Sequence, residues 1–209
     1  MTPRAAPHAA ELARLAREHD LNLWHAFGVF LGGWAKSESG AALEGVADMR
    51  RGVGLLREQD VLNFDGLIKI GLVQAEAKAG DSERAIAILD ETLATSERIG
   101  HCAFDAELHR VRGEILQKRD PVNTAAVEQL FQRAIAIAEQ QRARSFRLRA
   151  TLSLAKLYQS TGRPADAYTV LGPALEGFAP TPEMPEIAEA QLLLATLVAS
   201  EPDTADLRR

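Results

Sequence analysis

The stretch TGRPADAYTVLGPA, residues 161–174, joins a turn to a segment whose small residues recur at fixed distances from the turn glycine. Gly162 is followed by Ala167, Leu171 and Ala174 at +5, +9 and +12. On a helix these offsets fall on one side, with a large residue between two small ones. Such a side predicts close packing against a neighbouring helix.

The same arrangement recurs along the chain. It starts at two other turn glycines, giving the sets Gly40, Gly45, Met49, Gly52 and Gly80, Ala85, Leu89, Thr92. Gly40 and Gly80 are 40 residues apart, and Gly80 and Gly162 are 82 apart, which leaves room for one unit between them. That unit has Val127, Phe131 and Ala134, but its turn KRDPVNT lacks the glycine. A period of this length indicates stacked helix pairs, in which small residues let the second helix of one unit approach the next unit.

Apolar residues at i, i+3, i+4 and i+7, without sustained alternation, predict helices throughout. We therefore expect an all-α protein of about ten helices that forms a single helical-repeat domain over residues 1–209. The predicted parts are a leading helix 5–18, helix pairs at 22–58, 61–98, 102–141 and 145–178, and a closing helix 183–199.

The anchors also include a small residue seven positions before each turn glycine, namely Gly33, Val73 and Ala155. This pattern resembles the tetratricopeptide repeat (TPR). The resemblance implies a right-handed α-solenoid whose first helices line a concave groove. The usual repeat has 34 residues, whereas this one has 40 to 41, so its helices should be about one turn longer.

In that family the groove positions lie six and three residues before the small anchor and one residue after it. The resemblance therefore implies a partner-binding groove formed by Phe27, Phe30, Trp34, Leu67, Ile70, Gln74, Glu107, Arg110, Glu114, Arg149, Leu152 and Lys156. Such a groove would run from apolar to charged, which suits an extended peptide or a partner helix. Alternatively, the three aromatic residues at 27, 30 and 34 belong to the core of a solenoid with longer helices.

A second resemblance covers residues 10–199 and is strongest over AELHRVRGEIL (106–116) and VEQLFQRAIAIAEQQRARSFRLRATLSLAKLYQSTGRPADAYTVLGPALEGF (127–178). These segments look like the C-terminal helical repeats of large bacterial signalling proteins, which join a nucleotide cyclase or a transcription-regulatory output domain to a P-loop ATPase. The resemblance implies a non-catalytic regulatory module that binds a protein or peptide partner. The alternative is a sensor domain for a small ligand or a signal peptide.

Motifs that would carry chemistry are incomplete. GVFLGG at 28–33 has the glycine spacing of a phosphate-binding loop, but Trp34 and Ala35 stand where Lys and Ser or Thr are needed. The five histidines form no metal-binding pair on one helical face, and Cys102 is the only cysteine. Glu107, Arg110 and Glu114, at i, i+3 and i+7, are better explained as ion-paired neighbours than as an acid–base site. We predict no enzyme activity, no cofactor and no metal.

Charge and hydropathy restrict partners and location. The net charge of −5 gives no overall attraction to nucleic acid, although the four arginines within 142–149 could contact phosphates. No apolar run is long enough to span a membrane and no signal peptide is evident, so we predict a cytoplasmic protein. The leading helix 5–18 has the form of a second helix without its first, which predicts either a homodimer through the terminal helices or a fragment of a larger regulator.

Overall fold

The structure is a computed structural model that describes residues 5–59, 65–179 and 184–199. Within these ranges it contains ten α-helices and no β-strand. The helices are α1 (Ala5–Glu18), α2 (Asn22–Glu38), α3 (Ala42–Arg57), α4 (Asp65–Lys78), α5 (Ser82–Ile99), α6 (Asp105–Arg119), α7 (Thr124–Gln140), α8 (Arg144–Ser160), α9 (Pro164–Leu175) and α10 (Pro185–Ala199). The all-α prediction is confirmed.

Two helices are shorter than predicted. α6 begins at Asp105 rather than at 102, because the residues before it form a turn in which the Asp105 amide donates to the Cys102 carbonyl at 3.1 Å. α9 ends at Leu175 rather than at 178, because Glu176 is extended and Gly177 has a φ of +76°. The predicted starts at 61 and 183 lie outside the described residues.

The helices group into two compact units. The first is Met1–Val111 and the second is Arg112–Arg209, with the boundary inside α6. The prediction of a single domain over residues 1–209 stays a prediction.

The turns inside the helix pairs depend on glycine. Gly40, Gly80 and Gly162 have φ values of +101°, +96° and +75°. In this left-handed region a residue with a Cβ is strained, whereas glycine is not. The glycines that define the sequence period are therefore the residues that end α2, α4 and α8.

In the first unit, α2 and α3 approach backbone to backbone. A Cβ placed on Gly33 would lie 2.6 Å from the Gly45 carbonyl oxygen and 2.7 Å from the Met49 amide nitrogen. A Cβ on Gly52 would lie 2.8 Å from the Phe30 amide nitrogen. These small residues join the two helices of one pair, rather than two successive pairs as the sequence suggested.

Apolar side chains of α2, α3 and α4 fill the space around this contact. The buried core consists of Ala26, Phe30, Val46, Met49, Leu56, Ile68, Leu72 and Ala75. On its other side α2 packs against α1, where a Cβ on Gly28 would meet the Ala13 backbone at 2.7 Å. α2 is thus held between two helices and has only limited surface left.

The second unit has its own core, formed by α7, α8, α9 and α10. Its largest fully buried side chains are those of Phe131, Leu148, Leu157, Leu171 and Ile187. A Cβ on Gly113 would lie 2.5 Å from the Phe131 ring, so the small anchor residue of α6 makes room for this phenylalanine.

Polar contacts join α7, α8 and the start of α9. The Tyr158 hydroxyl donates to one Glu128 carboxylate oxygen at 2.7 Å, and Arg163 donates to the other at 2.8 Å. The Arg163 guanidinium also lies 4.0 Å from the centre of the Tyr158 ring, a cation–π distance. Burial raises the pKa of Tyr158, and the hydrogen bond to Glu128 raises it further.

Substitutions at two neighbouring glycines of α2 test the backbone contact between α2 and α3. We expect Gly33→Ala to lower the free energy of unfolding by about 1–3 kcal/mol, because the added methyl group meets fixed backbone atoms. Gly32→Ala meets nothing within 4 Å, so it should raise the free energy of unfolding by about 0.5–1 kcal/mol through helix propensity. Chemical denaturation measures both. Equal effects of the two substitutions would contradict the close packing of α2 on α3.

Tyr158 should make stability depend on pH at the alkaline end. Because its pKa is raised above the ordinary value of 10.0, the tyrosine contribution is present below pH 10 and is lost as pH rises through the folded pKa. Tyr158→Phe removes the hydrogen bond to Glu128 and should cost about 1 kcal/mol at pH 8. Denaturation at pH 8 and at pH 11 should show this difference shrinking. A difference that grows with pH would contradict the raised pKa.

Candidate functional site

The predicted groove residue Phe30 lies in the core. Only 7% of its surface is exposed, and its side chain packs among the buried residues of α2, α3 and α4. Gly71 of α4 leaves room for it, since a Cβ there would lie 3.3 Å from the tip of the ring. The alternative interpretation of this position as core therefore applies, and Phe30 offers no surface to a partner.

A different stripe of α2 is exposed. Trp24 is 52% exposed and Leu31 is 40% exposed, and the two are seven residues apart on one face of the helix. Phe27, which is half-buried, lies on the same side, with its ring centre 6.0 Å from that of Trp24. Trp34 is also half-buried and packs against the core. The accessible aromatic surface thus lies one helical turn before the predicted one.

α4 places further exposed residues on the same side of the unit. Leu67 is exposed, and so is Gln74 seven residues later, whereas the predicted groove residue Ile70 is buried. At the end of this stripe the Lys78 ammonium lies 3.1 Å from the Glu38 carboxylate of α2. Glu38 continues the seven-residue spacing from Trp24 and Leu31. The exposed stripes of α2 and α4 are therefore adjacent.

We define the α2–α4 face as the exposed and half-buried residues Trp24, Phe27, Leu31, Glu38, Leu67, Gln74 and Lys78. It lies entirely in the first unit. Along each helix its apolar members precede its polar members, which stand towards the helix ends. The face therefore changes from apolar to polar along its length.

The charged positions predicted on α6 are engaged internally. Glu107 and Arg110 are buried, and Arg110 donates to both carboxylate oxygens of Glu107 at 2.9 and 2.8 Å. Ion pairing between these neighbours was predicted, but their burial was not. Glu114, in the second unit, accepts a hydrogen bond from the Ser153 hydroxyl at 2.9 Å.

The charged residues of α8 that were predicted to line the groove form ion pairs with α10. Arg149 donates to Glu186 at 2.8 Å, and Lys156 lies 2.7 Å from Glu189. Both carboxylates belong to α10. The sequence predicted α10 as a closing helix. It did not predict that Glu186 and Glu189 pair with α8, because that depends on how the two helices align.

Other motifs have structural explanations. GVFLGG is part of α2, where Gly28 and Gly33 allow close approach of α1 and α3. Cys102 is exposed in the turn before α6, with its Sγ 3.8 Å from the Ser96 carbonyl oxygen. Across the described ranges no three His, Cys, Asp or Glu side chains converge as a metal site would need. Across the same ranges we also find no helix with the length and apolar character to cross a membrane.

Comparison with known proteins identifies the repeat. Two crystal structures of nearly identical TPR-like repeats are similar in fold, both from a Podosopora anserina protein described as a kinesin light chain. The first superimposes with a TM-score of 0.59 and 17% sequence identity over 90% of this chain and 86% of that chain. The second has the same TM-score and 16% identity. The chain is a TPR-like α-solenoid, which confirms the predicted fold class.

Sequence comparison does not assign the chain to a family. No family model matches the chain. An uncharacterized protein of Rhizobium meliloti (strain 1021) is 30% identical over 155 residues, which is 74% of this chain. The chain spans 15% of that relative's length.

Two aromatic substitutions should separate core from surface. Phe30→Ala should lower the free energy of unfolding by about 3–5 kcal/mol, because it leaves a cavity between α2, α3 and α4. Trp24→Ala should change it by less than about 1 kcal/mol, because half of this side chain is already in solvent. Urea denaturation followed by circular dichroism measures both. The assignment of the α2–α4 face is wrong if Trp24→Ala is as destabilising as Phe30→Ala.

Proposed function

We propose that the chain is a non-catalytic protein-interaction module that binds an amphipathic partner helix on the α2–α4 face. The observation that carries this proposal is the apolar stripe of α2, in which Trp24 and Leu31 are exposed and Phe27 is half-buried, together with exposed Leu67 on the adjacent helix α4. Contiguous apolar surface of this kind marks interaction sites on proteins. Tryptophan is also among the residues that most often dominate binding energy.

The dimensions of the face suit a short helix. From Trp24 to Glu38 the stripe rises about 21 Å at 1.5 Å per residue, the length of a helix of about 14 residues. The apolar part spans about 10 Å, or two turns. A partner helix with apolar anchors at i, i+4 and i+7 would match it.

The polar end of the α2–α4 face sets the orientation of the proposed partner helix. A partner helix lying along α2 would meet apolar side chains first and the Glu38–Lys78 pair last. In the reverse orientation the apolar anchors of the partner would lie on that ion pair and desolvate it without compensation. The face therefore favours a partner helix of one polarity.

We also propose a cellular context for the module. The resemblance of residues 106–116 and 127–178 to bacterial signalling proteins, together with the Rhizobium relative, supports a regulatory role in a bacterial cytoplasm. The negative net charge continues to disfavour nucleic acid. A homodimer through the terminal helices also stays a prediction, and exposed Leu192 and Val198 of α10 are compatible with it.

A small-ligand sensor is the second candidate function. A half-open cavity of about 370 Å³ beside the turn between α5 and α6 favours it. Ile99, Phe104 and Leu108 supply apolar walls, and Ser96 and Asp105 supply polar groups. The Ser96 hydroxyl already donates to Asp105 at 2.6 Å, so a ligand would have to compete with that bond.

A peptide selection tests the interaction proposal. Peptides are selected for binding to the intact chain from a library of amphipathic helices, and their affinity is measured by fluorescence anisotropy. We expect Trp24→Ala combined with Leu31→Ala to weaken binding by roughly 30-fold, the equivalent of about 2 kcal/mol.

The control removes two apolar side chains that lie elsewhere and are more exposed than Trp24 and Leu31. Leu43→Ala combined with Leu192→Ala should leave peptide affinity within about twofold, because surface substitutions outside a binding site have small effects. Selected peptides that bind the Trp24 and Leu31 double variant as tightly as the unchanged chain would sink the proposal.

A further inference from the structure

A second surface of α4 forms the floor of a small pocket. Lys69 and Glu76, seven residues apart, lie on the side of this helix opposite to Leu67 and Gln74. Together with residues of α3 and α5 they enclose a cavity of about 240 Å³ in the first unit. We call it the α3–α5 pocket. It is separate from the α2–α4 face and does not depend on the function proposed for that face.

Positive charge predominates in the α3–α5 pocket. Its charged lining residues are Arg50, Arg57, Lys69, Arg84, Glu76 and Glu91. Three arginines stand against two carboxylates, and the Lys69 ammonium lies 3.8 Å from one of these, that of Glu91, although the whole chain carries a net charge of −5. Within a partly enclosed site such an excess attracts anions.

One ion pair fixes the geometry of the pocket. Glu76 is fully buried, and Arg50 donates to its two carboxylate oxygens at 2.7 Å each. These hydrogen bonds raise the pKa of Arg50 above its ordinary value, so the guanidinium stays charged. Because a bidentate pair is rigid, the Arg50 guanidinium is held at the pocket in a defined orientation.

The arginines retain donors for a ligand. A guanidinium group has five N–H donors. Among the described residues, Arg50 donates twice to Glu76 and Arg57 donates once, to Glu91 at 3.2 Å. The Arg84 guanidinium makes no hydrogen bond within the described part of the chain, and its nearest carboxylate oxygen, on Glu76, is 3.7 Å away. Most donors of the three groups are therefore not used by any of the described residues.

The remaining lining limits the size of the ligand. Lys69 brings an ammonium group to the floor with only 5% of the residue exposed, and Val53, Leu72 and Ile88 add apolar wall. The cavity is smaller than the roughly 300–1,000 Å³ of sites for drug-sized molecules. A phosphate group, with a charge of about −1.5 to −2 and three acceptor oxygens, matches both the charge excess and the donors.

We propose that the α3–α5 pocket binds the phosphate group of a small phosphorylated molecule between Arg50 and Arg57 of α3 and Arg84 of α5. Lys69 contributes charge from the floor, and the organic part of the ligand contacts Val53 and Ile88. Binding joins α3 to α5 through the ligand, so it stabilises the first unit.

Titration with inorganic phosphate tests the site. Phosphate is added to the intact chain at constant ionic strength, and binding is followed by ³¹P NMR and calorimetry. We expect saturable binding that Arg84→Gln weakens by roughly tenfold, since charge-assisted hydrogen bonds are lost. Arg51→Gln removes the same charge from an exposed arginine outside the pocket and should change the affinity by less than about twofold.

A glycine at the rim offers a test that leaves every charge in place. Gly54 lines the pocket and a Cβ there would meet nothing within 4 Å, so Gly54→Leu adds a bulky apolar side chain at the rim and improves helix propensity. It should abolish phosphate binding while the melting temperature is kept or raised. Gly32→Leu, at the equally open glycine of α2, is the matched control and should bind phosphate as the unchanged chain does.

Three results would overturn the proposal. One is the absence of saturable phosphate binding by the unchanged chain. The second is equal weakening by Arg84→Gln and Arg51→Gln, which would indicate general electrostatic attraction. The third is succinate binding as tightly as phosphate, which would assign the pocket to carboxylates instead. Should Gly54→Leu fail to fold, the exposed Arg84 and Arg51 variants still decide the matter.

Discussion

The backbone contact between Gly33 of α2 and Gly45 of α3 is the constraint on which the first unit depends. With no side chain at either position, the two helices lie close enough for Phe30 to reach across them into the core. Because Phe30 points inward, the helix periodicity leaves Trp24 and Leu31, about 100–120° away around the helix axis, on the exposed side, while Phe27 is half-buried and packs against the edge of the core. The exposed apolar stripe is therefore a consequence of which residues the glycine contact buries.

α4 shows how a solenoid helix can present two different chemistries. Its neighbours α2, α3 and α5 cover most of its circumference and leave one exposed stripe and one pocket floor. The stripe carries Leu67 and Gln74, and the floor carries Lys69 and Glu76. A buried carboxylate on such a helix needs a fixed cation, which Arg50 provides from α3. The same requirement places an arginine at the edge of the pocket.

The fold could be predicted from the sequence because the repeat depends on small residues at fixed spacings. The turn glycines Gly40, Gly80 and Gly162 are required by their positive φ, and Gly113 is required by its close contact with the Phe131 ring, so their spacing is visible in a single sequence. The groove was predicted less well. Positions taken from a 34-residue repeat miss the exposed stripe of α2 by one turn when the helices are longer. Contacts such as Arg149 with Glu186 depend on how α8 and α10 align, and periodicity alone does not give that register.

The two units differ in the surface that they offer to the proposed partner helix. In the second unit, Arg149 and Lys156 of α8 are paired with Glu186 and Glu189 of α10, so a partner would have to break ion pairs to reach them. Exposed pairs contribute little stability, and a charged surface of this kind gains little free energy when water is removed from it. The α2–α4 face has the opposite character, because its exposed tryptophan and leucines gain free energy when water is removed. In the proposed function, affinity for a partner helix therefore comes from the first unit, whereas the charged residues of α8 hold α8 and α10 together.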